Sequence, residues 1–594
     1  RTPMLDAEPS FGKVREPYLK LMHILRSLEY QSGAQGKKEV VIQALNRIGM
    51  APYESPSVFN FYPFDFQPVG VLQKKGLYAP EMMLGTSPYL LSFLNGVNSL
   101  IKYGLKKYDK GLGHHTSVGN GASLRDGDGS RQQNGYLTYQ PRVAPTDATA
   151  VINELALVLT HGRLDATTRD IVTAAYQAEL TNPSPVVVAE GFIMKLHNTD
   201  YNCREAHNGD SLVLTLQQTV TVSNGNYGRA VYLRNSKDNS EVKVSRGIRH
   251  WAWAGTGLYL NKGPNDPSTD LNCSLIQSSF QPGDILHASE LAIQDAPLAA
   301  LQIAQSLMLS SAEFHTANVN ARSTQTRQDP FSISSQNRKY KAIVVVFMNG
   351  GADSWNFLVP NSECKHAGED FDLYGEYANL RAAAALPRGE MLLVNSPNDR
   401  ARNKQPCTGY GVNPALANIK KLYNDGDAAF IANIGTMVEP LTRDEYEKRK
   451  KRYPAALFGH NTQQRTSKSV HAGTAKKPKG ILGRIQEALT EQQYPYAAAA
   501  YSMHGVQNIF DGKYQPYIIG GSGVETLSDV FKHKQYLKQM LDKESDHGFC
   551  EAYSHLLNRS IEESDHLGGI LASTTHKPIH FAGACSSIER EMKN

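Results

Sequence analysis

The sequence predicts a multidomain α+β protein in which a helical domain carries an inserted all-β module and is followed by an incomplete α/β domain with a doubly wound sheet. Helical periodicity dominates the first 185 or so residues and returns near residue 289. The segment between them consists of short, β-branched, partly alternating runs separated by Asn, Gly and Asp. After residue 341, apolar runs alternate with helical segments, which is typical of a parallel sheet.

The chain has 594 residues, a length that accommodates about three or four domains. The predicted regions are a helical domain at 1–185 plus 289–318, a β module at 186–288, a polar linker at 319–340 and an α/β domain at 341–594.

The composition is that of a globular protein, with 40% hydrophobic and 20% charged residues. A formal charge of +5 without a long basic run argues against nucleic acid or an anionic membrane as a partner. The densest basic stretch, KRKKR at 448–452, follows a capping-box pattern formed by Thr442 and Glu445, so we interpret it as a solvated helix face.

No apolar run approaches the roughly 18–20 residues that span a bilayer, and we predict no transmembrane segment. The chain begins with Arg1 and shows no signal peptide, so we expect either a mature product or a fragment.

Three segments define the predicted helical domain. REPYLKLMHILRSLEY has Pro17 near its start and one broad apolar face. TDATAVINELALVLTHG has an acidic start, an apolar stripe and a stop at Gly162. DAPLAALQIAQSLMLSSAEFH, at 295–315, restores the helical period after the β module. The apolar face predicted for the first segment consists of Leu19, Met22, Ile24, Leu25 and Leu28.

Two aromatic residues of the predicted β module are candidates for ligand binding. Trp251 and Trp253 alternate along a predicted strand and therefore face the same side of it. If exposed, they could stack on a sugar ring; if buried, they are ordinary core residues, which is the commoner case. In the helical domain, His114 and His115 lie in the Gly-rich loop GLGHHTSVGNG without the spacing of a metal motif, and we predict no metal site there.

The predicted α/β domain begins with YKAIVVVFM, a continuous apolar run of the kind expected for a strand that is covered on both faces. Asn413, Pro414 and Gly426 mark the cap, first turn and end of a helix, and AAFIANIG follows as the next buried strand. Strand, helix and strand in this order begin a parallel doubly wound sheet. Asp353 and Ser354 follow the first strand directly after two glycines. Open α/β sheets bind ligands beyond the carboxyl ends of their strands, so these two residues are candidates for a ligand site. The alternative is that they form a turn with an Asx cap.

Six cysteines without a C-x-x-C pair argue against zinc or thioredoxin chemistry. Their order suggests local disulfides, and unpaired buried thiols are the alternative. Sequons at Asn272 and Asn558 fit a secretory route and predict glycosylation. Together these features predict an oxidising, extracellular or cell-surface setting. The predicted pairs are Cys203 with Cys273, Cys364 with Cys407, and Cys550 with Cys585.

Four stretches resemble, in this order, the C-terminal half of a bacterial helical family that is named only as domain-of-unknown-function family 1800. They are ESPSVFNFYPFDFQPVG, GLYAPEMML, LTHGRLDATTRDIVTAA and LQIAQSLMLSSAEFH. The activity of that family is not established, so the resemblance implies a helical fold and little chemistry.

Four later stretches look like the N-terminal half of domain-of-unknown-function family 1501. They are VVVFMNGGADSWNFLVP, YGVNPALANIKKLYNDGDAAFIANIG, VEPLTRDEY and PAALFGHNTQQ. That family is placed near the alkaline phosphatase and sulfatase superfamily, so the resemblance implies a sulfatase-like α/β domain. Genes for the two families often lie side by side, which makes both resemblances in one chain mutually supportive.

The second resemblance implies a site for one or more divalent metal ions at the end of the first strand. Asp353 would be a metal ligand. Ser354 and His460 would be catalytic, Ser354 as a nucleophile or substrate contact and His460 as a ligand or phosphate contact. The later Gly-Phe-Asp-Thr-His motif of the family is absent, and the only Asp-His-Gly sequence, at 546–548, lies in a predicted helix, so the site is incomplete. The substrate-binding residues implied are Asn356, which would also orient Asp353, Asn461 and Gln464.

Three functions follow as hypotheses. The favoured one is an extracytoplasmic structural or assembly protein built from a truncated hydrolase-like fold, because half a metal site cannot perform the chemistry. The second is a secreted metal-dependent phosphatase or sulfatase-like hydrolase whose active site is completed by another chain or a cleaved fragment. The third is a carbohydrate-binding surface protein. The expected partners are other protein chains or the missing halves of a precursor, with glycans as a further possibility and no nucleic acid.

Overall fold

The computed structural model combines helices with small sheets, which agrees with the α+β class. The residues it describes are 8–32, 42, 47–56, 60–105, 110–113, 135–181, 186–195, 203–205, 211–215, 230–235, 241–246, 251–254, 257–261, 285–292, 296–327, 339, 341–348, 353–366, 369–396, 405–432, 434–454, 456–469, 473, 478–492, 498–520, 524–527 and 534–573; within 186–292 it describes the backbone.

The described helices alternate with turns and short 3-10 segments. They are α1 (Pro17–Ser27), α2 (Val71–Lys74), α3 (Ser87–Tyr103), α4 (Ala148–Thr160), α5 (Ala166–Thr181), α6 (Ala296–Ser310), α7 (Ala312–His315), α8 (Leu373–Arg381), α9 (Ala417–Asn424), α10 (Arg443–Glu447), α11 (His460–Ser469), α12 (Ile481–Thr490), α13 (Lys534–Leu541) and α14 (Gly548–Ser573).

The described strands are mostly short. They are β1 (Tyr30–Ser32), β2 (Gly135–Leu137), β3 (Val186–Lys195), β4 (Cys203–Glu205), β5 (Ser211–Thr215), β6 (Ala230–Asn235), β7 (Glu241–Arg246), β8 (Trp251–Ala254), β9 (Gly257–Asn261), β10 (Ile285–Ala292), β11 (Arg322–Thr326), β12 (Leu358–Ser362), β13 (Lys365–His366), β14 (Glu369–Asp370), β15 (Leu392–Asn395), β16 (Gly409–Val412), β17 (Tyr501–Ser502), β18 (Tyr517–Ile518) and β19 (Lys543–Ser545).

The chain divides into two compact units. Unit 1 comprises residues 1–333 and 482–594, and unit 2 comprises residues 334–481. The predicted domain at 341–594 is therefore wrong, because residues 482–594, nearly half of it, belong to unit 1. Unit 2 is a much smaller body than the predicted α/β domain.

Unit 1 is organised around one large apolar core. Leu21 and Ile24 of α1, Leu91 of α3, Leu155 of α4 and Tyr176 of α5 are all buried in it. Each of these helices presents an apolar stripe with a spacing of three to four residues, and such a stripe is stable only when it is covered.

The long helix α14 belongs to the same core. Phe549, Tyr553 and Leu557 recur at intervals of four residues and are buried, and the helix packs against α3 and α7. This stripe explains why residues assigned by the sequence to an α/β domain fold with the N-terminal helices instead: burying each large apolar side chain contributes roughly 1.5–3 kcal/mol.

The segment predicted as a polar linker at 319–340 is also part of unit 1 in its first half. Residues 322–326 form β11, which pairs antiparallel with β19. Arg322 forms an ion pair with Asp165 at 2.9 Å, and Arg327 forms a buried ion pair with Glu551 of α14. These contacts attach the segment to the helical core, so the prediction of a free linker is wrong for residues 319–327.

The strands between residues 186 and 292 form two four-stranded antiparallel sheets. One has the order β3-β10-β6-β7 and the other β4-β5-β9-β8. The helices α5 and α6 flank this region in sequence and pack against each other. The backbone therefore leaves and re-enters the helical core at neighbouring points, as the predicted insertion requires, and its last strand ends at Ala292 rather than at 288.

Unit 2 contains a three-stranded antiparallel sheet of order β12-β16-β15, with α8 packed on β12 and α9 on β15. The predicted parallel sheet is wrong: the described residues at 341–348 and at 428–435 form no strand. An apolar run indicates a buried strand only when helices cover both of its faces, and here the helices pack on the antiparallel strands instead.

The predicted helix ends are confirmed where local hydrogen bonding defines them. The Asn413 side chain accepts from the Ala415 amide at 3.0 Å before a 3-10 turn that leads into α9, and Gly426 follows with a φ of +83°. Thr442 and Glu445 form the predicted capping box at α10. The basic run at 448–452 lies just beyond that helix, and Lys448 and Lys451 pair with its acidic first turn.

None of the helices in the described part of the chain has the length and apolar character that a membrane span requires.

Candidate functional site

Asp353 and Asn356 lie at opposite ends of a 3-10 turn in unit 2 and contact each other. The Asn356 side-chain amide donates to the Asp353 carboxylate at 2.9 Å. Asn356 is itself held, because its amide also donates to the Ala384 carbonyl and its oxygen accepts from the hydroxyl of the buried Tyr377. The geometry thus contains the contact that an orienting residue for Asp353 would make.

The Asp353 carboxylate is already occupied by a cation from the protein. The Arg381 guanidinium, at the end of α8, forms an ion pair with it. The Asp353 side chain does not cap the turn that follows, so the alternative of a simple Asx cap is wrong. Arg381 and Asn356 both contact Oδ2 of this carboxylate.

The other predicted site residues do not gather around Asp353. Ser354 is exposed, and no base lies within hydrogen-bonding distance of its hydroxyl among the residues that the structure describes. His460 and Asn461 are exposed at the start of α11, where the Asn461 side chain accepts from the Thr462 amide. Gln464 is half-buried one turn later. Within the described ranges, no hydrogen bond or ion pair connects these residues to Asp353.

The described residues contain no preformed metal site. They contain no group of three or more His, Cys, Asp or Glu side chains arranged to hold a metal ion. His114 and His115 lie outside the described residues. A divalent metal at Asp353 therefore stays a prediction from the family resemblance.

The most unusual surface of unit 2 is the apolar segment, residues 343–348, which immediately precedes the turn at Asp353. All of its side chains are exposed to solvent, from 42% for Phe347 to 84% for Val346. One described side chain lies over the segment, because the Lys468 ammonium is 4.1 Å from the centre of the Phe347 ring. Contiguous apolar exposure of this kind is rare on monomeric proteins and marks interaction sites.

One of the three predicted disulfides is present in the structure. Cys364 and Cys407 are bonded to each other in unit 2. Cys550, in α14, is instead a free and fully buried thiol, so its predicted disulfide is wrong; burial raises its pKa to about 12. Its side chain lies in the core of unit 1, where it contacts Thr316 and Asn318. The proposed partners Cys273 and Cys585 lie outside the described residues.

The sequon at Asn558 lies on a helix and not in a loop. Asn558 is half-buried within α14, and Ser560 is fully buried with its hydroxyl donating to the Leu556 carbonyl. Glycan acceptors lie on accessible surface segments, and glycosylation at Asn558 stays a prediction. Asn272 lies outside the described residues.

The two candidate tryptophans lie on β8, where Trp251 pairs with Leu260 of β9. The structure describes the backbone of this strand and not the tryptophan side chains.

A buried polar pair in unit 1 was missed by sequence reasoning. Lys20 lies on the core face of α1 with 6% of its surface exposed, and its amine is 3.0 Å from Nδ1 of the fully buried His315. Burial, and the nearby Arg15 cation, lower the pKa of Lys20 to about 7. Burial, and the neighbouring Lys20, hold the pKa of His315 well below its ordinary value.

The helical spacing contained a signal for this pair. Lys20, Ile24 and Leu28 are four residues apart, so a helix places the amine on the same stripe as the two buried aliphatic side chains. The predicted face instead included Leu19, which is exposed. The sequence prediction counted only apolar residues as core-facing, so it assigned Leu19 to the buried face of α1 and left Lys20 out.

The motifs by which the N-terminal part resembles a known family have structural roles. In LTHGR, the Arg163 guanidinium donates to the Asn318 carbonyl at 2.7 Å. In SSAEFH, the buried Glu313 carboxylate accepts from the Asp165 amide and from Asn320. These bonds tie the turn between α4 and α5 to the end of α7, so the motif residues contribute to packing.

Comparison with known proteins bears on the N-terminal region of the chain. A family model described as Protein of unknown function (DUF1800) matches residues 2–198. The resemblance to that family is thereby confirmed for the N-terminal region, which contains α1 to α5. Which half of the family it corresponds to, and its continuation at 289–318, stay predictions. No curated protein and no solved structure is significantly similar to the chain.

We expect Asp353→Asn to lower the unfolding free energy of unit 2 by about 1 kcal/mol or less, because partly exposed ion pairs contribute little. Thermal unfolding with and without Mn²⁺ or Zn²⁺ measures both stability and metal binding. Asp370→Asn, which removes a more exposed carboxylate paired with Lys365, is the matched control. Micromolar metal affinity in the wild-type chain that Asp353→Asn alone abolishes would contradict the assignment of Asp353 to an ion pair.

We expect the unfolding free energy of unit 1 to rise with pH between about pH 7 and pH 10. The unfolded chain holds a proton at Lys20 below about pH 10.4, whereas the folded chain, in which the pKa of Lys20 is about 7, holds it only below about pH 7. The unfolded state therefore holds more protons in this window, and the full effect is on the order of 3–5 kcal/mol.

Urea denaturation across this pH range measures the effect. Lys20→Met should flatten the dependence, and Lys13→Met, which removes an exposed lysine, should leave it as in the wild type. Equal slopes for the wild type and Lys20→Met would show that Lys20 keeps an ordinary pKa.

Proposed function

We propose that this protein is a structural protein that assembles with itself through the apolar segment at 343–348. The observation that carries the proposal is the exposure of six consecutive apolar side chains in unit 2. Burying such a surface against another chain contributes roughly 25 cal/mol per Å² of apolar area, and in solution nothing in the described part of unit 2 covers it.

The exposure pattern of the segment suits pairing as a β-strand. Val344 and Val346 are 83% and 84% exposed, whereas the alternate residues Val345 and Phe347 are 48% and 42% exposed. A period of two is the side-chain period of a strand. Two valines on the outer side would thus enter an interface together.

The backbone of the segment is also available. Among the described residues, the main chain of 341–348 makes no hydrogen bond to another segment, and unpaired N–H and C=O groups template the addition of a strand. The side chains are β-branched or large and apolar, with no charge and no proline between 343 and 348. Two copies of such a segment pair without repulsion, which makes a second copy of this chain the favoured occupant.

A second exposed apolar site lies in the same unit. Ile431 and Ile434 are 79% and 75% exposed in the segment that the sequence had suggested as the next strand. Both segments are therefore strand-like in sequence and unpaired in the described structure. This supports the hypothesis of a truncated hydrolase-like fold whose unpaired strands serve assembly, including the resemblance of this region to family 1501.

We place the protein in an extracellular or cell-surface setting. The disulfide between Cys364 and Cys407 supports this proposal, because such bonds persist in oxidising compartments.

A metal-dependent phosphatase or sulfatase-like hydrolase is the second candidate. The contact between Asn356 and Asp353 favours it, since it holds the carboxylate that the family resemblance implies as a metal ligand. The site would become functional only if a partner chain supplied the remaining ligands. Without those ligands the assembly function is better supported.

We expect the wild-type chain to sediment as a dimer or larger species at micromolar concentration and Val344→Lys/Val346→Lys to sediment as a monomer. Two ammonium groups at the paired positions would be desolvated and would repel each other across the interface. Leu380→Lys is the matched control, because Leu380 is similarly exposed on α8 but lies outside the segment. A wild-type chain that stays monomeric throughout the concentration range, or a double variant that assembles normally, would overturn the proposal.

A further inference from the structure

Unit 2 contains a second strand-like segment, which we call the isoleucine segment and define as residues 428–434. Beyond Ala428, its described main-chain groups make no hydrogen bond. Side-chain exposure alternates at its start, because Ala428 and Phe430 are half-buried whereas Ala429 and Ile431 are exposed. This period of two is that of a strand. The isoleucine segment is therefore open to a partner strand, as is the apolar segment.

The two segments match in length, and they begin with opposite charges. Lys341 lies just before the apolar segment, and Asp427 directly precedes the isoleucine segment. Counted from these charges, the two runs cover residues 341–348 and 427–434, which are equal in length and within the usual range for strands. Both charged side chains are exposed, and neither belongs to an ion pair within the part of the chain that the structure describes.

Parallel pairing of the two runs brings the opposite charges together. When the runs lie side by side in the same direction, the Lys341 ammonium is beside the Asp427 carboxylate and Val344 is beside Phe430. Oppositely charged side chains directly across a strand pair attract, and like charges there repel. Antiparallel pairing would instead place each charge beside the apolar end of the other run. The charges at the start of the runs therefore favour the parallel direction.

Pairing of the apolar segment with its own copy would leave these features unused. In a parallel self-pair two Lys341 side chains repel each other, and in an antiparallel self-pair neither of them meets a carboxylate. Such a dimer would also leave Ile431 and Ile434 in water, where they are 79% and 75% exposed. An assembly in which the unlike segments pair covers both apolar surfaces, and burial of apolar surface is the main driving force of association.

We infer that the apolar segment of one copy pairs in parallel with the isoleucine segment of the next copy, with Lys341 beside Asp427. The inference rests on the proposed self-assembly and assigns the surface that receives the apolar segment. Because the two contacting surfaces differ, each copy still carries one open segment after it has paired once. Contacts of this heterologous kind continue into a filament unless their rotation closes a ring.

Complementary variants of the full-length chain test this pairing. Val344→Lys/Val346→Lys blocks the apolar segment, and Ile431→Lys/Ile434→Lys blocks the isoleucine segment. In sedimentation velocity at micromolar concentration, the wild type should exceed a dimer and each variant alone should be a monomer. An equimolar mixture of the two variants should form a dimer and nothing larger, because one intact segment of each kind remains. Leu380→Lys, outside both segments, should assemble like the wild type.

The outcomes separate this inference from the proposed function. If Ile431→Lys/Ile434→Lys alone forms a dimer or assembles like the wild type, the apolar segment pairs elsewhere; the inference is then overturned and self-assembly through the apolar segment stands. A mixture of the two variants that stays monomeric would also overturn the inference. A wild-type chain that stays monomeric would overturn the inference together with the proposed function.

Charge reversal tests the register without placing a charge inside either apolar run. Asp427→Lys puts two ammonium groups side by side and should weaken assembly by roughly three- to tenfold, since exposed charge pairs contribute little. Lys341→Asp/Asp427→Lys exchanges the two signs and should restore wild-type assembly. Both positions are exposed, so neither change disturbs a buried contact. A double variant that assembles no better than Asp427→Lys would overturn the parallel register.

Discussion

Burial of the apolar stripe of α14 is the constraint on which the organisation of the molecule depends. Phe549, Tyr553 and Leu557 lie in the same core as the helices of the first 181 residues. Because these side chains cannot be left in water without losing several kcal/mol, the C-terminal region returns to the N-terminal helices. The strands at 186–292 and the whole of unit 2 are consequently insertions between segments of one helical body.

The core of unit 1 also contains charged and titratable groups, and their bonding explains why they are tolerated. Glu313 accepts from Asp165 and Asn320, and Arg327 is paired with Glu551. Buried polar groups of this kind are costly unless they are bonded. Lys20 differs from them, because it faces a neutral histidine and an aromatic ring rather than a carboxylate.

Local features were predictable from the sequence, because local hydrogen bonds and spacing define them. The cap at Asn413, the capping box of Thr442 and Glu445, and the helix end at Gly162 are all present. The disulfide between Cys364 and Cys407 was also anticipated, since the two residues are neighbours in cysteine order. The family match at 2–198 supports the assignment of the N-terminal region.

Tertiary partners were not predictable from the same patterns. The apolar run at 343–348 has the composition of a central strand, but composition does not show which strands and helices will cover it. The stripe of α14 indicates a buried helix without indicating its partner. Asp353 was singled out as a metal ligand, and that role stays a prediction. The cation that it contacts, Arg381, lies 28 residues away in sequence, and no motif connects the two.

The most direct test of this organisation is to place protease sites near residues 334 and 481 and cleave the native chain at both. Fragments 1–333 and 482–594 should then remain together through size-exclusion chromatography and separate only in denaturant, because they share one core. If they separate under native conditions, the core does not depend on α14 and the division of the chain into these two units is wrong.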